Sequence, residues 1–247
     1  DWLKADPFRN MRQAIRSFLQ SPHLRQLLGR FATYVGGSPY LAPATLNVIA
    51  HVELTGGVWY PRGGIYAIAR AMETLACELG VEIRTGCGVK QIEVVDGRAV
   101  GVTLADDSTL PARVVVSNVD VATTYQHLLT DAAIAQQRIT KMSDYDPSCS
   151  GFVLLLGMDQ TYPTLAHHNI FFSDDYPAEF NAIFEQGIPA DDPTIYVSIT
   201  SKTDPDHAPD GCENWFILVN APPLGDAYDW QAQRQAYRDL VLDKLEA

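Results

Sequence analysis

His167 and His168 are the side chains in this sequence best suited to chemistry. An imidazole can take or give a proton near neutral pH, and it can ligate a metal. Neighbouring residues on a strand point to opposite faces, so this pair cannot grip one metal together. Two readings stay open. One ring lies on the surface while the other is hydrogen-bonded inside, or the pair lines a substrate channel. Other familiar sets are missing: the sequence holds no G-x-S-x-G, no H-E-x-x-H and no P-loop. Gly86-Cys87-Gly88 invites a dinucleotide reading, but the third glycine would fall at Gln91 and the stretch leads into a strand, not a helix. It reads as a turn or bulge. Cys77, Cys87, Cys149 and Cys212 are scattered, with no C-x-x-C pair. They suggest neither a metal site nor a disulfide framework, and they fit a reducing compartment. No pair of carboxylates stands out.

The elements that must position these residues follow from periodicity. Residues 8–34 read as two helices broken at Ser21-Pro22, with Ile15, Phe18 and Leu19 on one stripe and Leu24, Leu27, Leu28 and Phe31 on another. Arg9, Arg12, Arg16, Arg25 and Arg30 make this the most basic part of the chain. They read either as a solvated helix face or as a surface for anionic headgroups. Val35 to Tyr40 is a turn-rich break, and a helix is expected from about Pro43 to Leu54. After Trp59-Tyr60-Pro61-Arg62-Gly63-Gly64, the spacing of Ile65, Ile68, Met72, Leu75 and Leu79 predicts another helix. Gly80 sits where a left-handed cap belongs. Strands are expected over 81–84, 89–95, 100–104 and 112–116, with Asp96-Gly97 as a hairpin turn. Farther on, helices are expected near 121–129, 131–140, 176–186 and 230–245. Strands are expected at 149–157, 168–173, 194–200 and 213–220. The second half is therefore an α+β stretch with an antiparallel or mixed sheet.

The chain has 247 residues, a formal net charge of −12 and a hydrophobic fraction of 47%. It can bury a substantial core. Its acidity argues against nucleic acid as a partner, because such proteins need a basic stripe. No stretch nears the roughly 18 uninterrupted apolar residues of a spanning helix. The chain opens on Asp1-Trp2-Leu3-Lys4 and closes inside an expected helix, so it reads as an internal piece of a longer protein.

Several strings carry a resemblance. Gly57-Val58-Trp59-Tyr60-Pro61-Arg62-Gly63-Gly64, with the helix and Gly80-Val81-Glu82 after it, resembles the central block of bacterial carotenoid desaturases of the phytoene desaturase type. Val114 to Asp120, Leu165 to Phe172, Ala208 to Cys212 with the strand Trp215 to Val219, and Tyr34 to Tyr40 are similar to four further blocks. The blocks fall in family order over nearly the whole chain.

The resemblance implies FAD as cofactor, and a mixed α/β and α+β fold that forms part of a two-domain FAD-dependent oxidoreductase. It implies a helical membrane-facing and substrate part at 1–57, part of the FAD domain with its β-meander at 58–120, and a truncated substrate domain at 121–247. The activity implied is desaturation of phytoene or a related linear carotenoid, with a quinone or oxygen as final acceptor. A hydroxycarotenoid 3,4-desaturase and a diapocarotenoid desaturase or oxidase are further possibilities within the family. The setting implied is cytoplasmic and peripheral to the inner membrane. A retinol-saturase-like enzyme and a non-catalytic lipid or carotenoid carrier of the Rab-escort-like fold are the alternatives. Flavin chemistry would explain the scarcity of acid–base groups, since the cofactor takes the electrons while the protein binds, orients and excludes water.

Residue by residue, the resemblance assigns the backbone of Val89 to the adenine ring. Gly63 and Gly64 turn the chain beside the cofactor or simply enter the helix. Asn118 sits near the cofactor or caps the helix that starts around Asp120. Arg9, His167 and His168 are placed near the substrate. The family's G-x-G-x-x-G unit is not in the sequence, so this chain alone is expected to hold FAD weakly or not at all.

Overall fold

The computed structural model describes residues 6, 8–142, 145 and 147–246. Asp1-Trp2-Leu3-Lys4 lies outside them. The chain divides into two compact units, one made of residues up to Ile68 together with Ser148 onward, the other of Ala69–Pro147.

The first unit begins with helices α1 (Met11–Phe18), α2 (Pro22–Gly29) and α3 (Asn47–Gly56). Asn10 opens α1 with a reciprocal cap: its side chain accepts from Gln13 N at 2.8 Å, and the Gln13 side chain accepts from Asn10 N at 3.0 Å. Ser21 caps α2, and Pro22 occupies its first turn, where a missing N–H costs nothing. The break at Ser21-Pro22 is thus where the sequence puts it. Met11, Ile15, Phe31, Ala32, Ala42 and Ala50 form a small core between these helices.

The centre of this unit is a four-stranded antiparallel sheet. Its strands are β4 (Ser150–Met158), β5 (His168–Phe171), β6 (Ile195–Ser198) and β7 (Glu213–Ala221), in the order β4-β7-β6-β5. Alternation along the strands divides its side chains between two faces. Ile195, Val197, Ile199, Trp215, Ile217 and Val219 point to one face and are buried with Tyr237 and Val241 of helix α8 (Trp230–Glu246). Helix α7 (Tyr176–Asn181) leads into one wider π turn that ends at Gly187. Its buried Glu179 accepts from the hydroxyls of Ser173 and Thr194 at 2.9 and 2.6 Å, and from Thr194 N at 3.1 Å.

In the second unit, β1 (Val89–Val95), β2 (Arg98–Leu104) and β3 (Thr109–Pro111) form an antiparallel meander. Asp96 and Gly97 both have positive φ, 50° and 73°, as the expected hairpin turn requires. Gly101 is needed where β3 crosses β2, because a Cβ there would lie 2.4 Å from the Leu110 carbonyl oxygen. Short helix α5 (Val121–Thr123) and helix α6 (Ala132–Met142) follow.

Helix α4 (Tyr66–Glu78) begins in the first unit and ends in the second. It has no buried residue. The apolar stripe read from Ile65 to Leu79 is exposed. Two expected strands are absent as well: 81–84 and 112–116 are irregular, and Val114 and Val116 are exposed. An apolar run becomes a strand only beside a neighbour that completes its hydrogen bonds. Among the described residues, nothing forms a ladder with either run.

Candidate functional site

The second face of the four-stranded sheet is open. Phe216, Leu218 and Asn220 of β7 point to it, with Tyr196 of β6, His168 and Ile170 of β5, and Val153 and Leu155 of β4. Val153 lies opposite Leu218, and Leu155 opposite Phe216, so the apolar stripe runs across strands. Leu155 is 75% exposed and Val153 43% exposed, unusual for aliphatic side chains in mid-sheet. Beside this stripe lies a cavity of about 610 Å³ walled by Ile170, Tyr196, Leu218 and Asn220 of the sheet, by His167 and His168, and by Arg30, Tyr34, Glu53, Val58 and Tyr60 from the helical part.

His167 and His168 line this same cavity, with ring centroids 4.3 Å apart. This corrects the argument from strand alternation. His167 occupies a bend and β5 begins only at His168, so the period of two does not govern the pair. Neither ring is deeply buried. His167 Nδ1 meets Thr203 Oγ1 at 2.6 Å, and His168 Nδ1 meets the Tyr196 hydroxyl at 2.8 Å. The Tyr60 ring stands edge-on to His167 at 5.0 Å. Burial, then the nearness of His168 and His207, lowers the His167 pKa below its ordinary value. At neutral pH His167 is therefore an uncharged imidazole beside an apolar wall. Among the described residues, no group of three or more His, Cys, Asp or Glu side chains could hold a metal ion.

Arg30 supplies the positive charge. Its guanidinium lies 5.6 Å from the Tyr196 ring centroid and 5.8 Å from that of Tyr34. The Tyr34 hydroxyl donates to Glu53 Oε2 at 2.9 Å, and its pKa is raised by burial and by that bond. The arrangement can seat a long apolar molecule on the sheet and meet a polar end with imidazole, phenol and guanidinium groups. Sequence reasoning named the histidines but missed Arg30, Tyr60 and Tyr196 as site residues. Tyr60 lies in the block Gly57 to Gly64 and Arg30 in the basic helical segment. Tyr196 gave no signal, because only the register of β5 with β6 brings it to His168.

Gly63 and Gly64 pack inside the first unit. Gly63 N donates to Asp204 Oδ2 at 2.9 Å, and the Tyr60 hydroxyl reaches the same oxygen at 3.5 Å. A Cβ on Gly64, whose φ is +82°, would lie 3.2 Å from His207 Cε1. Residues 58–68 accordingly fall with the first unit, and the compact units divide at 68/69 and 147/148, where the reading by resemblance divided the chain at 57/58 and 120/121. Val89 begins β1, which stands at the edge of the meander. The resemblance assigns its backbone to an adenine ring, a task that would call for a peptide at a sheet edge. Asn118 is exposed and does not cap α5; Asp120 does, accepting from Thr123 N at 3.0 Å. Arg9 pairs with Asp6 at 2.6 Å and donates to Ser17 Oγ at 3.0 Å, and it does not line the cavity.

The fold is similar to that of an oxidoreductase from Methanosarcina mazei, with a TM-score of 0.69 at 21% identity over 96% of this chain and 52% of that one. It is also similar to the PF1083 protein from Pyrococcus furiosus, with a TM-score of 0.64 at 19% identity over 99% of this chain and 57% of that one. The family model described as flavin containing amine oxidoreductase matches residues 3–246, and the chain belongs to that family. It is 46% identical over 99% of its length to a 4,4'-diapolycopene oxygenase from Methylomonas, and 40% identical over 98% to a 4,4'-diaponeurosporene oxygenase from Staphylococcus haemolyticus. It spans 49% and 48% of those two proteins, about half of each.

Proposed function

We propose that the protein carrying this chain is an FAD-dependent oxidoreductase that oxidises a linear carotenoid. The observation that carries the reading is the open apolar face of the sheet, ending at His167, His168, Tyr60, Tyr196 and Arg30. A polyene needs a long greasy surface, and an oxidisable end needs orientation more than an acid–base pair. The names of the two curated relatives support a C30 carotenoid attacked near its ends.

When bound, FAD supplies the two-electron acceptor. Val89 would hold its adenine through the edge peptide of β1. Val153, Leu155, Phe216 and Leu218 pack the chain of the substrate and exclude water. His167, held uncharged at neutral pH by burial, meets a developing hydroxyl or carbonyl together with His168, and Arg30 holds the phenol rings around it. For terminal oxidation dioxygen would supply the oxygen atom, a methyl group and O2 giving an aldehyde and water; for desaturation a quinone or oxygen would take the electrons onward. Peripheral contact with the cytoplasmic side of the inner membrane would deliver so insoluble a substrate. Among the described residues, no helix is long and apolar enough to cross a membrane.

Desaturation of phytoene is the competing reading, and pigment chemistry separates the two. The intact protein is expressed in cells that accumulate 4,4'-diaponeurosporene or 4,4'-diapolycopene, and separately in cells that accumulate phytoene. Extracted pigments are resolved by absorbance and mass. Products that gain oxygen support terminal oxidation. Products that only lose hydrogen in pairs and absorb at longer wavelength return the assignment to desaturation. Unchanged pigments with flavin on the purified protein point to a retinoid, and unchanged pigments without flavin point to a carrier.

A further inference from the structure

A second cavity, of about 310 Å³, lies away from the sheet face and collects positive charge in an otherwise acidic chain. Arg12 and Arg16 reach it from α1, and Arg25 from α2. Asp174 is the acidic residue among its walls. Three guanidinium groups thus face one carboxylate among the walls, with Asp175 and Glu179 near the Tyr40 hydroxyl. Among the described residues, no ion pair includes Arg12, Arg16 or Arg25. Arg12 is held over the Tyr40 ring, 4.9 Å from its centroid, and Arg25 Nε donates to the Leu19 carbonyl at 2.7 Å. Both are therefore oriented by contacts that leave guanidinium donors to spare.

A merely solvated helix face would spread such charges. Arg12 and Arg16 instead stand four apart on α1, where like charges repel, and Arg25 joins them from a second helix. An oxyanion placed among them turns that repulsion into charge-assisted hydrogen bonds, for which the planar fork of arginine is shaped. We propose that this cavity binds a phosphate group, either free in solution or on a lipid headgroup. The site is independent of the carotenoid reading. Ile15 borders both this cavity and an apolar groove of about 650 Å³ lined by Phe18, Leu19, Leu28 and Leu54. A phosphate that carries hydrocarbon chains would find cover for them next to its charge.

The test uses the intact protein, with inorganic phosphate in a calorimetric titration, and with phosphatidylglycerol–phosphatidylcholine vesicles against pure phosphatidylcholine vesicles in a flotation assay. The R16Q variant is expected to weaken binding about tenfold and R12Q/R16Q further, as charge-assisted bonds are lost. R234Q, on the exposed side of α8, is expected to leave binding unchanged. Vesicle binding that requires phosphatidylglycerol and is displaced by inorganic phosphate identifies the lipid headgroup. Phosphate binding without vesicle binding identifies a soluble phosphate. Binding in neither assay, or full binding by R12Q/R16Q, overturns the proposal. Should the double variant lose its fold by circular dichroism, the unaltered protein decides. Its Tm must rise in phosphate relative to chloride at equal ionic strength, and an equal Tm in both overturns the site.

Discussion

The four-stranded sheet and the segment from α4 to α6 carry the same kind of apolar patterning and meet different fates. On the sheet, every second residue of β6 and β7 vanishes beneath α8, and Ile195, Val197, Ile217 and Val219 are 0% exposed. On α4, Met72 and Leu75 recur at helical spacing yet remain 67% and 55% exposed. In the meander, Ile92 and Leu104 are buried, while Val95 and Val100 are exposed. The pattern in a sequence says which face seeks cover; it does not say what provides it. The first unit is held by a packed layer, the second by turns, ladder bonds and a few buried residues, Ile92, Leu104 and Ala135 among them.

Substitutions can break or sharpen that contrast. The largest effect is expected from Ile217→Ala, which empties the centre of the sheet–α8 layer and should cost about 2–5 kcal/mol in urea unfolding. A loss below about 1 kcal/mol would mean that this layer is not the main support. Next comes Gly101→Ala. Its new Cβ would meet the Leu110 carbonyl, so β3 must shift, at a cost of about 1–3 kcal/mol. Unchanged amide-exchange protection in β2 and β3 would contradict that origin of the meander's order.

Glu179 gives a smaller, pH-dependent effect. Burial raises its pKa, against the pull of bonds from Thr194 and Ser173. The folded state therefore holds the proton longer than the unfolded chain. Its contribution is fully present below the ordinary carboxylate range and is lost as pH rises through the raised value, by at most about 1.4 kcal/mol per pH unit. Glu179→Gln should flatten this slope in a series of melts, and an unchanged slope would assign it to other groups. The smallest effect is expected at Leu75→Ala, within about 0.5 kcal/mol for this chain. The same substitution in the intact protein separates an exposed stripe from a covered one. A loss of about 2 kcal/mol or more there would show that α4 is covered.

Much of the fold was legible because local rules decide it. Ser21-Pro22 starts α2, Asp96-Gly97 turns the hairpin, and the strands β4 to β7 fall where their apolar runs were read. The runs at 81–84 and 112–116 were misread because a strand is defined by its neighbour, which a local window does not contain. The site was legible only in part. The blocks around Tyr60 and His168 marked its two sides, but a rule about strands was applied to His167, which precedes the strand. Arg30 and Tyr196 are separated by 166 positions, and only tertiary packing sets them 5.6 Å apart. Gly64 was read as a turn beside the cofactor or as simple helix entry; a Cβ there would meet His207, a neighbour no spacing rule supplies.

The strict alternation along β7 has a consequence for how such a protein changes over time. Odd positions from Trp215 to Val219 are committed to the interior, while Phe216 and Leu218 face the open side. On the function proposed above, stability and ligand preference are thus written in interleaved letters of one strand. Drift at the even positions can reshape what the surface accepts while the odd ones keep the chain folded. New specificities are then reachable one residue at a time, without passing through an unstable ancestor.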